Sequence, residues 1–162
     1  MIDKRNKEKK TNSALDKFVE ELQEKMWAGF SKTVVDHAQN PRNIRSIPDP
    51  DGNGSFTGPC GDTMRIWLKV RNDTILDATF WTDGCGTTIA AGSMITELAK
   101  GRRLEEAKRI SSDAVLDALG GLPEESLHCA TLAAETLEAA IRNYLDLTKE
   151  TQRNLSTKTK SK

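Results

Sequence analysis

The chain has 162 residues, of which 36% are hydrophobic and 30% charged, with 24 basic and 24 acidic side chains. That length fits one domain with tails, and the composition excludes collagen-like and wholly disordered chains; no run approaches the ~18 apolar residues of a membrane-spanning helix. The neutral total is unevenly spread: residues 1–10 carry +3, residues 149–162 carry +4 and residues 11–148 carry −7, so the positive excess sits on the ends, which argues for solvated tails and against nucleic acid as a partner.

Residues 1–13 and 149–162 are polar, lysine-rich and aperiodic, and both are expected to be disordered tails. Residues 14–30 read as an N-terminal helical extension. Leu15, Phe18, Val19, Leu22, Met26 and Trp27 recur at helical spacing over 14–28, until Gly29 interrupts. The domain proper spans 31–148. Ser31 fits the N-cap of a short helix carrying Val34 and Val35, which must end before Asn40-Pro41. Residues 40–62 are rich in Pro, Gly, Asn and Asp, so turns and at most a short strand are expected.

Residues 63–71 alternate, with Met64, Ile66, Leu68 and Val70 on one face and Arg65, Trp67, Lys69 and Arg71 on the other. After Asn72-Asp73, residues 74–82 return as a second strand, with Leu76, Ala78 and Phe80 expected on one face. A helix is expected from about Thr87 to Lys100, stopped by Gly101. Another is expected over 104–119, ending at Gly120-Gly121. The last helix, after Pro123 and with Ser126 as its expected N-cap, shows the clearest periodicity: Cys129, Leu132, Ala133, Thr136, Leu137, Ala140, Ile141, Tyr144 and Leu145 share a face. Strands first and helices after indicate an α+β fold, with helices on one face of a small antiparallel sheet.

Three cysteines, Cys60, Cys85 and Cys129, cannot close a disulfide framework. The N-terminus has no apolar signal region and carries Asp3 and Glu8, so a reducing, cytoplasmic setting is expected. Each cysteine falls at an element boundary. Cys60 lies in a loop before the first long strand, Cys85 lies between Gly84 and Gly86, and Cys129 lies in the first turn of the last helix beside His128. A helix N-terminus favours thiolate, the form that binds metal or attacks sulfur. Asp62 and His128 raise the candidate donors to five. Four would complete a zinc site or a two-iron, two-sulfur cluster, and a carboxylate or imidazole in the set would hold a cluster more loosely than four thiolates. Each feature also has a structural reading: Cys129 as core, Asp62 as a loop-amide acceptor, His128 as an exposed helix-start residue.

Taken together, Asp36-His37-Ala38-Gln39-Asn40-Pro41-Arg42-Asn43, Pro59-Cys60-Gly61-Asp62, Gly84-Cys85-Gly86-Thr87-Thr88-Ile89-Ala90 and His128-Cys129-Ala130-Thr131-Leu132-Ala133 resemble the IscU/NifU family of iron–sulfur cluster assembly scaffolds. The match keeps order and interval over about residues 31–146. The resemblance implies a three-stranded antiparallel sheet with helices packed on it and the cysteines gathered at one end. It implies a scaffold and carrier rather than an enzyme, building a transient [2Fe-2S] cluster from Fe2+ and desulfurase-derived sulfur, with Zn2+ as an alternative occupant. Cys60, Cys85 and Cys129 would be ligands, and Asp62 or His128 would complete or modulate the site. Cys129 matches the family's persulfide acceptor. Implied partners are a cysteine desulfurase and apo iron–sulfur proteins, with a frataxin-like protein and a ferredoxin beside them.

The chain also departs from the family. Leu122-Pro123-Glu124-Glu125-Ser126 stands where family members carry Pro-Pro-Val-Lys, which weakens the expectation of chaperone-assisted release. An N-terminal extension of about 25 residues precedes the family's usual start, and without further domains a standalone scaffold is expected. The uninterrupted interval from Cys85 to Cys129, with His128 present, favours this branch over zinc-dependent SufU-like sulfurtransferases. Such a sulfurtransferase, accepting persulfide on Cys129, and a structural zinc domain are the competing readings.

Overall fold

The computed structural model describes residues 13–159. In chain order it contains α1 (Ala14–Met26), α2 (Lys32–Gln39), β1 (Gly52–Thr57), β2 (Thr63–Arg71), β3 (Thr74–Thr82), α3 (Gly86–Ala99), α4 (Leu104–Ala107), α5 (Ser112–Leu119) and α6 (Leu127–Thr159), with a 3-10 turn at Glu124–Ser126 before α6. The strands form an antiparallel sheet in the order β1-β2-β3. Among the described residues no helix is long and apolar enough to cross a membrane.

The sheet is built as its alternation dictates. Met64, Ile66 and Leu68 on β2 and Ala78 and Phe80 on β3 are fully buried beneath α3 and α6. Asn72 and Asp73 both take left-handed backbone angles, φ 50° and 58°, as a two-residue turn of the hairpin type requires. The face of β3 differs from expectation at its start. Pairing shifts register between Lys69 and Val70, so Ile75 points inward and Leu76 is left 54% exposed. A bulge inserts one residue, and period-2 reasoning fails across it.

Helix α6 lies along β1, where glycine lets the backbones meet. A Cβ on Gly54 would stand 2.8 Å from the Thr136 carbonyl oxygen and would overlap the Ala140 amide. A Cβ on Gly52 would stand 2.7 Å from Tyr144 Cβ. From this seat α6 buries Cys129, Leu132, Ala133, Thr136, Leu137, Ala140 and Ile141, the face its periodicity marks.

The expected helix over 104–119 is two helices, because Ser111 caps α5 by accepting from the Ala114 amide at 3.2 Å. Ser126 does not cap α6; it ends the 3-10 turn, its amide donating to the Pro123 carbonyl at 2.8 Å. Residues 149–159, expected as disordered tail, continue α6. Residues 146–159 contain no glycine or proline, and extending a formed helix costs little. The Thr148, Thr151 and Thr159 hydroxyls bond carbonyls one turn back at 2.9–3.0 Å. Lack of an apolar stripe meant lack of burial, not lack of helix. Residues 1–12 and 160–162 of the two expected tails lie outside the described residues.

Ser13, expected in the N-terminal tail, instead caps α1 in a reciprocal box with Asp16. Helix α1 buries nothing: Leu15, Phe18, Val19, Leu22 and Met26 all stay exposed. Its link to the body is Trp27, which stacks edge-on against Phe30 with centroids 5.4 Å apart. Helix α2 follows Ser31 as expected, and its His37 is buried against α3, Nδ1 lying 2.7 Å from Ser93 Oγ. The same Ser93 oxygen accepts the Arg42 amide at 2.9 Å.

Gly54→Ala is expected to cost about 2 kcal/mol or more, read as a lowered urea midpoint, because α6 cannot clear the new methyl without opening the core. An unchanged midpoint would show that α6 is free to back away. Burial, reinforced by Arg42, holds the His37 pKa below its ordinary value. The folded chain therefore binds fewer protons here than the unfolded chain, and stability falls as pH drops through about 6.5. Urea midpoints between about pH 7.5 and 5.5 are expected to decline less in His37→Asn. Equal declines would assign the acid sensitivity to another group.

Candidate thiol and metal site

The β1–β2 and β3–α3 connections are clamped together at one end of the sheet. The Thr63 amide donates to Asp83 Oδ1 at 2.7 Å, and the Thr82 hydroxyl donates to the Thr63 carbonyl at 2.7 Å. This holds Asp62 beside Gly84, where a Cβ would stand 2.7 Å from Asp62 Oδ2 and 2.6 Å from Thr88 Cβ. Gly84 thus leaves the opening through which the carboxylate reaches α3. Cys85 follows at the N-cap of α3, exposed.

Two buried threonines in the first turn of α3 join the candidates. Thr87 Oγ1 lies 3.0 Å from Cys85 Sγ and 3.5 Å from Cys129 Sγ. The Thr88 hydroxyl donates to Asp62 Oδ2 at 3.1 Å and lies 3.4 Å from Cys129 Sγ and 3.8 Å from Cys85 Sγ. With the Thr88 proton directed at Asp62, its oxygen is left to accept from a thiol. His128 Nε2 is 3.7 Å from Cys129 Sγ.

The structure therefore gathers Asp62, Cys85, His128 and Cys129 around Thr87 and Thr88. Cys60 stands apart. It is exposed in the turn closed by the Gly61 amide on the Gly58 carbonyl at 3.0 Å, and it makes no hydrogen bond to the other candidates among the described residues. Among those residues no three Cys, His, Asp or Glu side chains converge as metal ligands. The threonines appear in the sequence motifs without a role. The signal that could have found them is two hydroxyl residues at the helix start directly after a Gly-Cys-Gly turn.

The thiols differ in a way helix position alone did not anticipate. Burial raises the Cys85 pKa, but hydrogen bonds from the Thr87 hydroxyl and from the Thr88 and Thr87 amides outweigh it and hold the thiol below its ordinary value. At Cys129 burial wins. The residue is 1% exposed, the Thr87 hydroxyl only partly offsets desolvation, and Cys85 and Asp62 add unfavourable negative charge, so its pKa is raised. Of the two helix starts, that of α3 lowers the pKa of its thiol and that of α6 does not.

The NifU-like N terminal domain family matches residues 29–151. The chain is 51% identical over 116 residues to the iron-sulfur cluster assembly scaffold protein IscU 1 of Archaeoglobus fulgidus, covering 71% of this chain and 76% of that protein. It is 44% identical over 120 residues to the scaffold protein IscU of Azotobacter vinelandii and 41% identical over 120 to that of Escherichia coli K12, each covering 71% of this chain and 93% of the relative. Among solved structures, the fold resembles a nitrogen-fixing NifU-like N-terminal protein from Brucella abortus. The TM-score is 0.57 at 21% identity, over 72% of this chain and 94% of the other. A putative SUF-system scaffold from Fervidobacterium islandicum also has a TM-score of 0.57, at 19% identity, over 69% and 96%.

Iodoacetamide at neutral pH is expected to label Cys85 far faster than Cys129. Thr87→Val removes the nearest donor and is expected to slow Cys85 labelling severalfold at neutral pH while leaving Cys60 unchanged. Peptide mass spectrometry resolves the three sites. A Cys85 rate indifferent to this substitution would show that the hydroxyl does not set the thiolate.

Proposed function

The chain belongs to the NifU-like N-terminal domain family, and we propose that it acts there as an iron–sulfur cluster assembly scaffold, with iron and sulfur as substrates and the finished cluster as cargo. The observation that carries this reading is the shared threonine: Cys85 and Cys129, from different helices, both lie within 3.5 Å of Thr87 Oγ1. Two thiols on one hydroxyl stand close enough to seize one incoming iron. Asp62, tied to the same point through Thr88, supplies a hard donor beside them.

The proposed ligands are Cys60, Cys85 and Cys129 with Asp62 or His128, and the proposed cargo is a [2Fe-2S] cluster. The donors suit iron and equally suit zinc, which we propose as the alternative occupant. Cys60 has to swing in from its exposed turn; Gly61 on one side (φ 84°) has open space around it, and Gly58 on the other has no atom nearer than 3.7 Å to a built Cβ. A fourth position filled by carboxylate or imidazole keeps the cluster labile, as release requires. Sulfur would come from a cysteine desulfurase and electrons from a ferredoxin, with a frataxin-like protein assisting. Cys85 is the open and more acidic thiol, whereas Cys129 is buried with a raised pKa, which opposes a sulfurtransferase working through Cys129. Exposed Glu124 and Glu125 before His128 oppose a chaperone that reads an apolar, basic segment there.

The test is an anaerobic absorption spectrum of the protein with ferrous iron, cysteine, reductant and catalytic desulfurase, followed by apo-ferredoxin. A sulfide-to-iron charge-transfer band that grows and then moves to the ferredoxin is expected. Asp62→Ala is expected to lengthen the cluster lifetime severalfold and slow transfer. A colourless protein whose Cys129 nonetheless gains sulfur would replace this reading with a zinc-dependent sulfurtransferase.

A further inference from the structure

Gly86 separates Cys85 from Thr87 and begins α3, where an alanine would be the better helix former. Its backbone lies outside the positive-φ region, so no conformational demand calls for glycine. The space around it does. The three atoms nearest a Cβ built there all belong to Trp27: Cη2 at 2.6 Å, Cζ2 at 3.3 Å and Cζ3 at 3.7 Å. The indole of the N-terminal extension therefore sits directly on the site turn.

The placement is one-sided. Gly86 and Thr88 are two residues apart on α3, about 200° around the helix, so they mark opposite faces. Asp62 meets α3 on the Thr88 face and Trp27 meets it on the Gly86 face. Between them they flank Cys85. Trp27 is also the exception in its own segment: the apolar residues of α1 are exposed, whereas Trp27 is half-buried, packed against the core and braced edge-on by Phe30. One of the contacts that join the extension to the domain is thus a contact with the turn that carries Cys85.

We propose that Trp27 is a positioning residue of this site: its indole, seated on Gly86, holds the Cys85 turn and closes the α1 side against water and thiol reagents. Where a cluster is held, a consequence that rests on the scaffold reading, the same contact slows its loss. The N-terminal extension then serves the site rather than hanging beside it.

The apo protein tests this without any cluster. Tryptic peptides separate Cys60 from Cys85, so iodoacetamide rates can be read at each. Trp27→Ala is expected to raise the Cys85 rate severalfold with the Cys60 rate unchanged, and Trp27→Phe to restore most of the protection. Gly86→Ala should likewise raise the Cys85 rate by expelling the indole. Added to Trp27→Ala, it should bring no further increase. Circular dichroism confirms that each variant is folded. An unchanged Cys85 rate in folded Trp27→Ala, or an equal rise at Cys60 and Cys85, overturns the proposal. In the reconstituted protein, Trp27→Ala should shorten cluster half-life. If the apo rates shift as expected but no cluster ever forms, Trp27 keeps its role and the scaffold reading falls.

Discussion

The close approach of α6 to β1 governs the rest of the structure. Two glycines on one strand, Gly52 and Gly54, let a helix backbone rest where any side chain would hold it off. Because α6 is continuous from Leu127, that seat also fixes its first turn. Cys129 is carried to within 3.5 Å of Thr87, on a helix whose start is set by the opposite edge of the sheet. A displacement of α6 would pass undamped to the thiol, since a packed helix moves as a rod. The small residues that look least informative in β1 thus determine whether two cysteines 44 positions apart can act on one atom.

What meets there is an asymmetric pair. Cys85 is open and stabilised as thiolate by the donors of its own helix start; Cys129 is enclosed and held as thiol by desolvation. Position at a helix N-terminus favours thiolate only while water or donors outweigh burial, and at Cys129 burial wins. The difference sets the two thiols apart: the outer one meets the solvent, the inner one is enclosed. Thr87 joins the two sulfurs and Thr88 connects them to Asp62, so a change at one of these groups is felt at the others through shared hydroxyls.

Around this centre lie features particular to the chain. An acidic 3-10 turn precedes His128, and the helical extension ends in an indole resting on the residue after Cys85. Both border the site.

Much of this was readable from the residues alone. Alternation on β2 and the 3-4 spacing of α6 follow from burial on one face, and burial is a property of pattern. Cys85 between two glycines, and Cys60 and Cys129 in words resembling those of known scaffolds, marked the candidate donors. Other features were decided only in three dimensions. The bulge that exposes Leu76 depends on cross-strand register, and the break before α5 depends on Ser111 turning its hydroxyl to an amide. The continuation of α6 past Lys149 needs only an unbroken backbone, so apolar periodicity could not foretell it. The reversal of acidity between Cys85 and Cys129 depends on what surrounds each sulfur, and the contact of Trp27 with Gly86 joins positions 59 apart. Sequence by itself determined which reactive groups the chain has to offer, because side-chain identity is local. Tertiary structure decided which are buried, which share a proton donor and which stand apart, because desolvation and hydrogen bonding depend on neighbours that chain order does not name.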